Sequence, residues 1–473
     1  MNVLITGYEA APFYKRGGLG DVMESLPKAL GKIGIEARVV IPYYDDIKEK
    51  YNFKEEGEFT IRFESVVESI GVYSSLLPRT KIPFYFLDNK KHKFISDKRG
   101  KDKINQFASF NLAVVNFIHW VSEHHKWIPS IVHCNDWHTA LIPLILKQKM
   151  KLEIPTLLTI HNLNYQGIGS LKVLDLLDMR DEETKEIKRG KPATEINVLG
   201  EGIVHADLVS TVSRSYAKEI MRDYGKNPIA AFLKKREEEQ PKIDGKIIGI
   251  LNGIDYDVWN PATDKSIFHK YDTNNWETGK KDNKDDLLKS LGLEDRPTFC
   301  FVGRMAKQKG LDILIKTVDG LDSLNINMII LGVGDPIIQE TVLKLAQKYP
   351  SWVRAEPIYS EEFAHKLYAG SDFIIIPSRY EPCGLIQMIA MRYGTIPIAS
   401  KTGGLQDSIA NGKNGLLFEK GKSIRLKKAI KHALNIQKDM ARYRKMVLSA
   451  MRKDFSWDKS AVLYKKLYEE MVK

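Results

Sequence analysis

The sequence has little cysteine. Its 473 residues include three cysteines, Cys134, Cys300 and Cys383, which lie far apart and form no Cys-x-x-Cys pair. This spacing excludes a disulfide framework and a zinc site built on paired cysteines, and it is typical of a reducing compartment. All three lie in apolar runs, so we expect small, buried hydrophobic side chains.

Long apolar runs are also missing. No stretch is long and uncharged enough to span a bilayer. The chain starts on a strand-like run, Val3 to Thr6, with no basic leader before it. From these features we expect a soluble, cytoplasmic protein with no membrane partner.

Positive charge is in excess but is not concentrated. The formal net charge is +12 and the sequence pI is about 9.2, a balance that suits nucleic acid, an anionic membrane face or a phosphorylated small substrate. The sequence lacks a long basic block and a ladder of basic and aromatic residues, so we expect no nucleic acid partner.

Strand-like and helix-like runs alternate along most of the chain. A length of 473 residues predicts two or three domains. β-branched runs such as Val3 to Thr6 and Ala37 to Pro42 flank helical patterns, as in βαβ units. The alternation predicts an α/β fold with two Rossmann-like, doubly wound domains that face a cleft.

The expected domain boundary lies in a polar, turn-rich segment at 237–245. Lys246 to Leu251 is predicted to be the first strand of the second domain, followed by an insertion at Thr263 to Asp286. We therefore expect an N-terminal domain at 1–245, a C-terminal domain at 246–455, and an amphipathic helix at 456–473 that packs back on the N-terminal domain. The charged stretch at 180–191 is predicted to be a solvated loop.

One short pattern occurs twice. Lys15 to Asp21 and Lys401 to Asp407 both have the form Lys-x-Gly-Gly-Leu-x-Asp, each between a strand-like run and a helix-like run. Paired glycines let the backbone approach a phosphate, and a helix that starts there directs N–H groups at the anion. A single Gly-Gly pair is more often an ordinary turn, but the matched pair predicts two nucleotide-fold halves around one anionic ligand.

Polar residues suited to catalysis follow several predicted strands. Asp136 and His161 come soon after strands in the first half. In the second half Arg304 ends a strand and Lys309 begins the next helix, so the two cations could grip a diphosphate as a nucleotide leaves. Taken alone, each histidine could be structural and each cation a solvated surface group.

Together these motifs make the sequence resemble the glycogen and bacterial starch synthases, which are retaining glucosyltransferases of the GT-B architecture. The resemblance covers nearly the whole chain. The matching segments follow the family's order and spacing: Lys15 to Leu19, His133 to His138, His161 to Gly167, Leu251 to Asp255, Gly303 to Arg304, Lys309 to Gly310, Gly332 to Pro336, Glu381 to Leu385, and Thr402 to Leu405.

The resemblance implies the residues of the site. The catalytic positions it implies are Lys15, Asp136, His161, Arg304, Lys309 and Glu381, with His161 close to the anomeric carbon. The donor-binding positions it implies are Lys15 with the amides of Gly17 and Gly18, Asn252, Arg304 and Lys309 at the diphosphate, Tyr359 at the adenine, Glu381 and the amides of Cys383, Gly384 and Leu385 at the sugar, and the amides of Thr402, Gly403 and Gly404 at the distal phosphate.

The resemblance also implies a reaction, the transfer of glucose from ADP-glucose or UDP-glucose to the non-reducing end of an α-1,4-glucan such as glycogen, with retention. No second carboxylate is poised as a nucleophile, which favours a front-face displacement in which the departing diphosphate takes the acceptor's proton. Because Arg304 and Lys309 supply positive charge, we expect no metal and no cofactor. Tyr359 and the Glu381 to Leu385 run favour ADP-glucose. The oligomeric state stays open, a homo-oligomer included.

Four positions depart from the family pattern. Arg16 and Gly20 replace a usual threonine and alanine, and Gly200 stands where the family commonly has lysine. Ile389 replaces a second glutamate found in related transferases, so Glu381 would act alone.

Three alternatives are open. A glycosyltransferase with a lipid acceptor at a membrane surface would fit the basic charge, but no basic amphipathic helix with exposed aromatics marks the N-terminal half. A nicotinamide-dependent epimerase or reductase would need a Gly-x-Gly-x-x-Gly spacing that the first glycines lack. A non-catalytic sugar-binding relative would be expected to lose the catalytic positions, which are mostly present.

Overall fold

The computed structural model describes residues 1–90, 94, 103–179, 195–222, 229, 231–233, 236, 247–358 and 360–473. The chain forms two compact units. The first comprises Met1–Val212, Ala217–Ile250 and Trp457–Lys473, and the second comprises Ser213–Tyr216 and Leu251–Ser456. The predicted loop at 180–191, the boundary segment at 237–245 and Tyr359 lie outside the described residues.

The first unit is built on a nine-stranded sheet. Its strands, in chain order, are β1 (Asn2–Thr6), β2 (Glu36–Pro42), β3 (Lys54–Phe63), β4 (Val66–Leu76), β5 (Pro83–Asn89), β6 (Ile131–Asn135), β7 (Thr156–Ile160), β10 (Leu208–Thr211) and β11 (Ile248–Gly249), with β8 (Ile168–Ser170) and β9 (Glu195–Asn197) in a separate small sheet. The order across the sheet is β11-β10-β7-β6-β1-β2-β5-β4-β3. All neighbours are parallel except the β5-β4 and β4-β3 pairs.

The second unit is built on six parallel strands. They are β12 (Thr298–Val302), β13 (Asn327–Leu331), β14 (Val353–Glu356), β15 (Phe373–Ile376), β16 (Ile396–Ser400) and β17 (Leu416–Phe418), in the order β14-β13-β12-β15-β16-β17. Runs such as β13 and β15 are buried along their whole length, as expected for parallel strands covered on both faces. In both sheets the strand order reverses beside the first strand, at β1/β6 and at β12/β15, and ligands of such sheets bind at this switch point.

Helices cover the faces of both sheets. In chain order they are α1 (Gly18–Lys32), α2 (Asp45–Lys48), α3 (Lys103–His125), α4 (Ile142–Leu144), α5 (Val173–Leu176), α6 (Val198–His205), α7 (Arg214–Arg222), α8 (Trp276–Leu291), α9 (Leu311–Val318), α10 (Pro336–Lys348), α11 (Glu361–Gly370), α12 (Ile386–Arg392), α13 (Gly403–Ser408), α14 (Ser423–Lys438), α15 (Met440–Met451) and α16 (Trp457–Met471). A π-helix, Ile145–Lys149, continues α4, and the 3-10 turns are Trp137–Thr139, Lys307–Lys309 and Asp322–Leu324.

The last helix belongs to the first unit. The apolar face of α16 joins the core beside α1, where Trp457, Ala461 and Tyr464 pack among Val22 and Leu26. Its Tyr468 hydroxyl lies 2.8 Å from Nδ1 of His133 on β6. Burial lowers the pKa of His133 to about 3, so the ring is neutral in this contact. The helix is therefore joined to the first sheet by both apolar packing and a buried hydrogen bond.

One prediction about the middle of the chain was wrong. The strand predicted at Lys246 to Leu251 does not open the second sheet, because Ile248 and Gly249 pair with Ser210 and Thr211 in the first. The segment predicted as an insertion contains most of α8, which packs into the second unit through residues such as Leu287 and Leu288. The prediction that the three cysteines are buried is confirmed.

Candidate active site

In the first unit, the predicted site residues follow β1, β6 and β7. These neighbouring strands meet at the switch point, so their carboxyl ends place the Lys15 loop, Asp136 and His161 along one sheet edge. The structure thus brings together the two strand-end residues that the sequence singled out.

A buried carboxylate holds the Lys15 loop. Glu9 is fully buried, and its Oε2 accepts hydrogen bonds from the amides of Arg16 and, at 2.8 Å, of Gly17. Burial raises the pKa of Glu9, while these amides act in the opposite direction. Because the Gly17 amide is engaged, it is not available to a phosphate in this conformation. Nζ of Lys15 lies 2.6 Å from Oδ1 of Asp21.

Asp136 is a buried carboxyl with a high pKa. Its Oδ1 accepts hydrogen bonds from the amides of His161 at 2.7 Å and Asn162 at 3.2 Å. Burial raises the pKa of Asp136 to about 7, although both amides favour the ionised form, and the charge of Glu9 raises it further. The group therefore changes its charge near neutral pH.

His161 is neutral and oriented by an amide. Its Nε2 lies 2.8 Å from Oδ1 of Asn135. The Asn135 amide nitrogen donates to the carbonyl of Thr6 at 3.0 Å, so its oxygen faces the ring and Nε2 is the protonated nitrogen. Burial lowers the pKa of His161 to about 3.

In the second unit, an ion pair joins two predicted residues. Nζ of Lys309 lies 2.7 Å from Oε2 of Glu381, and the hydroxyl of Ser378 donates to the same oxygen at 2.9 Å. Both side chains of the ion pair are largely shielded, with 18% of the lysine and 8% of the glutamate side chain exposed. A shielded pair of this kind keeps both groups in one place, because each is stabilised by the other.

Arg304 lies beside this pair on an exposed position. Its Nη2 is 3.5 Å from Oε1 of Gln308, whose amide nitrogen donates to the carbonyl of Tyr380 at 3.1 Å. A bidentate ion pair of Arg379 with Asp312, at 2.6 Å for each bond, ties the same loop to α9. The structure therefore gathers Arg304, Lys309 and Glu381 around the ends of β12 and β15.

The residues after Glu381 present free backbone donors. Among the described residues, the N–H groups of Cys383, Gly384 and Leu385 have no hydrogen-bond acceptor. The backbone N–H of Asn252 donates to the Cys383 thiol, whose pKa burial raises to about 12, so this cysteine is neutral. Oδ1 of Asn252 is buried and has no partner in the described part of the chain.

The second copy of the repeated pattern packs against this loop. The amide of Gly404 donates to the carbonyls of Glu381 at 3.0 Å and Pro382 at 3.1 Å. Gly403 has a positive φ of 43°, and a Cβ there would collide with the Glu381 carbonyl oxygen. Thr402 is buried, and Lys401 lies on the surface, 3.8 Å from Glu419. The Gly404 amide is therefore engaged with protein and not free for a phosphate.

Position 200 has no room for a side chain. A Cβ on Gly200 would lie 2.5 Å from the ring of Phe232. A lysine at this place could be accommodated only if Phe232 moved. Ile389 is buried in α12.

Sequence reasoning missed several residues that shape the site: Glu9, Asn135, Gln308, Ser378 and Arg379. Asn135 lies inside the segment from His133 to His138 that the resemblance marked, so its position was a usable signal. The role of Glu9 depends on a loop contact that no local pattern reveals. In the described ranges, no three His, Cys, Asp or Glu side chains come together as metal ligands. No helix of the described residues has the length and apolarity needed to cross a membrane.

Known proteins match the chain along its length. The starch synthase catalytic domain matches residues 2–235, and glycosyl transferases group 1 matches residues 283–447. The glycogen synthase of Caldicellulosiruptor saccharolyticus is 40% identical over 100% of both chains. That of Clostridium novyi is 37% identical over 100% of this chain and 99% of its own. The chain belongs to the glycogen and starch synthase family.

Solved structures agree with this membership. The catalytic domain of starch synthase IV from Arabidopsis thaliana, bound to ADP and acarbose, matches with a TM-score of 0.87 and 31% identity, over 100% of this chain and 99% of that one. A sucrose-phosphate synthase from Thermosynechococcus elongatus, with a TM-score of 0.62 and 18% identity, shares the fold. The predicted pair of Rossmann-like domains and the predicted family are confirmed. The chain is thus a glucosyltransferase of glycogen or starch synthesis.

Proposed function

We propose that the chain transfers glucose from ADP-glucose, in preference to UDP-glucose, to the non-reducing end of an α-1,4-glucan with retention of configuration. The Arabidopsis relative that matches the full chain is bound to ADP and to acarbose, an oligosaccharide related to α-glucans. This supports an adenine nucleotide as the donor and a glucan as the acceptor.

The observation that carries the proposal is the donor cluster in the second unit, defined as Arg304, Lys309, Glu381 and the free amides of Cys383 to Leu385. Lys309 donates one hydrogen bond to Glu381, so its other N–H groups can donate to a diphosphate. Arg304 is exposed and adds a planar, bidentate donor. The amides and the second carboxylate oxygen of Glu381 would bind the glucosyl hydroxyls, with Asn252 beside them.

The chemistry follows from this cluster. The bond between the anomeric carbon and the diphosphate oxygen breaks, and the acceptor hydroxyl oxygen forms the new bond on the same face. The acceptor's proton passes to the leaving diphosphate, whose growing negative charge Arg304 and Lys309 stabilise. No protein nucleophile is required.

For the first unit, we propose that its groups act on the glucosyl ring and phosphate. The ionised form of Asp136 would stabilise positive charge on an oxocarbenium-like ring, while neutral His161 adds a dipole without adding charge. Lys15 and the Gly18 amide would contact the phosphate and sugar. Since the amides of Gly17 and Gly404 are engaged with protein, we assign neither to the phosphate, and in the second copy we keep Thr402.

The test is transfer of labelled glucose from ADP-glucose and UDP-glucose to glycogen by the wild type and by Arg304→Ala, Lys309→Ala and Glu381→Ala. Lys307→Ala is the matched control, because Lys307 is an exposed lysine in the same 3-10 turn as Lys309. We expect a higher kcat/KM with ADP-glucose, a loss of about 100-fold in each cluster variant, and near wild-type activity in the control. Equal activity of Lys307→Ala and Lys309→Ala would refute the assignment.

A further inference from the structure

A lysine is buried in the second unit, away from the donor cluster. Lys280 lies on α8 and is 7% exposed. Its Nζ lies 2.8 Å from Oγ1 of Thr395, 3.0 Å from the carbonyl of Ala369, 3.2 Å from that of Tyr393 and 3.4 Å from that of Tyr368. Burial lowers the pKa of Lys280 to about 7. In its charged form the amine has three donors, which these four oxygens share.

The three carbonyls belong to the ends of two helices. Tyr368 and Ala369 lie in the last turn of α11, and Tyr393 is the C-cap of α12. The last carbonyls of a helix have no partner within the helix and carry partial negative charge, which a cation stabilises. Lys280 therefore caps two helices at once and fixes their ends relative to α8.

Other polar side chains keep this position in place. The Tyr271 hydroxyl donates to the Tyr393 carbonyl at 2.7 Å. The Tyr393 hydroxyl donates to Asp264 at 2.5 Å, and Asp264 also accepts from His365 at 2.6 Å. At the C-terminal end of α12, Lys280 and Tyr271 thus bind the Tyr393 carbonyl, and Asp264 binds the Tyr393 hydroxyl.

The opposite end of α12 leads into the donor cluster. The helix begins at Ile386, directly after the free amides of Cys383 to Leu385, and its seven residues span about 10 Å. A rigid helix this short transmits a displacement at its C-terminus to the loop at its N-terminus. A shift of about 1 Å at a reacting centre can reduce catalysis about 100-fold.

We propose that Lys280 is a positioning residue that holds α12 against α11 and thereby sets the loop at Cys383 to Leu385 for the donor sugar. The inference rests on the proposed function for the role of that loop. It identifies a residue remote from the reacting atoms that supports binding of the sugar part of the donor, in contrast to Arg304 and Lys309, which hold the diphosphate.

The decisive variant is Lys280→Met, which keeps the length of the side chain and removes its charge and donors. Lys281→Met is the control, since Lys281 is 70% exposed and pairs with Asp285 on the surface. We expect Lys280→Met to raise KM for ADP-glucose about tenfold while KM for glycogen and the inhibition constant of ADP change less than about twofold. Thr395→Val, a milder change that leaves Lys280 in place, should move the donor KM in the same direction by a smaller factor.

Hydrogen–deuterium exchange gives a readout that needs no sugar nucleotide. In Lys280→Met, the amides of α12 should exchange faster than in the wild type, while those of α14, remote from the lysine, should not change. Unchanged exchange in α12, or equal changes in the KM of donor and acceptor, would overturn the proposal. If the wild type transferred no glucose, the proposed function would fail by itself, and exchange in α12 would still support or overturn the positioning role.

Discussion

The two copies of Lys-x-Gly-Gly-Leu-x-Asp have the same sequence pattern but different contacts. In the first copy, Lys15 pairs with Asp21, and Glu9 holds the amides of Arg16 and Gly17 at the start of the long helix α1. In the second copy, the lysine lies on the surface beside Glu419, and the amide of Gly404 bonds the Glu381 loop.

The difference shows that paired glycines can serve two physical needs. In the first copy, no atom within 4 Å would meet a Cβ on Gly18, so this position leaves space for a ligand. In the second copy, a Cβ on Gly404 would meet backbone atoms of Cys383. Gly18 in the first copy therefore leaves space open, whereas Gly404 in the second lets two loops of one unit pack backbone to backbone.

The largest expected effect comes from adding one methyl group to the second glycine of the pattern. We expect it to damage the second copy and to leave the stability of the first unchanged. Gly404→Ala would force the Lys401 loop away from Cys383, so we expect a loss of about 1–3 kcal/mol of stability and about 100-fold in transfer. Gly18→Ala should fold with unchanged stability. Thermal unfolding and glucose transfer measured on both variants check this, and similar unfolding temperatures for the two variants would contradict the comparison.

A smaller change in activity is expected with pH, and it arises from a group in the first unit. Because burial raises the pKa of Asp136 to about 7, its charged form, which we assign to catalysis, accumulates as the pH rises. We expect kcat to rise about tenfold between about pH 6 and about pH 8. In Asp136→Asn the rise should disappear and kcat should be low throughout.

The stability of the fold should also depend on Asp136, but it should fall as the pH rises, whereas kcat should rise. The pKa of Asp136 is higher in the folded chain than in the unfolded one, so its contribution to stability is present below about pH 4 and is lost as the pH rises through about 7. Asp136→Asn should therefore gain stability relative to the wild type across this range. Parallel unfolding curves at all pH values would show that the carboxyl is not buried as described.

A moderate effect is expected at Glu9. Glu9→Gln keeps the size of the side chain but removes the charge that accepts the Arg16 and Gly17 amides, so the Lys15 loop should loosen. We expect kcat/KM to fall about tenfold, since hydrogen bonds to a charged acceptor are worth about 1.5–3 kcal/mol. Full activity in this variant would mean that the loop holds its shape without the carboxylate.

The smallest effect is expected at the exposed lysine of the second copy. Lys401→Ala removes a surface ion pair with Glu419, whose charged atoms are 3.8 Å apart. We therefore expect activity to change less than about twofold and stability to be nearly unchanged. Lys15→Ala, the corresponding change in the first copy, should reduce transfer much more strongly. Initial rates at equal donor concentration compare the two variants directly.

Sequence patterns predicted the interior strands well and the edges poorly. Uninterrupted apolar runs such as β12 and β13 are visible because parallel strands are buried on both faces. The β3-β4 hairpin at the sheet edge carries many charged residues, such as Glu55, Glu58 and Arg62, and gave no clear apolar alternation. The two-residue strand β11 was assigned to the wrong sheet because its partner is decided by tertiary pairing, not by its own residues.

The site was predictable where its residues lie in local motifs. Asp136 and His161 directly follow β6 and β7, and Lys309 and Glu381 lie in the loops after β12 and β15, where they form an ion pair. The engagement of the Gly17 amide by Glu9, and the role of Lys280 on a helix predicted as part of an insertion, depend on contacts between distant segments. No local pattern carries that information.

The most direct test of the account is calorimetric titration of ADP into the wild type, Lys309→Ala and Lys401→Ala. If the donor cluster of the second unit holds the nucleotide diphosphate, the second-copy lysine has no part in binding. We then expect a Kd about 100-fold weaker in Lys309→Ala and nearly unchanged in Lys401→Ala. Equal affinity of Lys309→Ala and the wild type for ADP would contradict it.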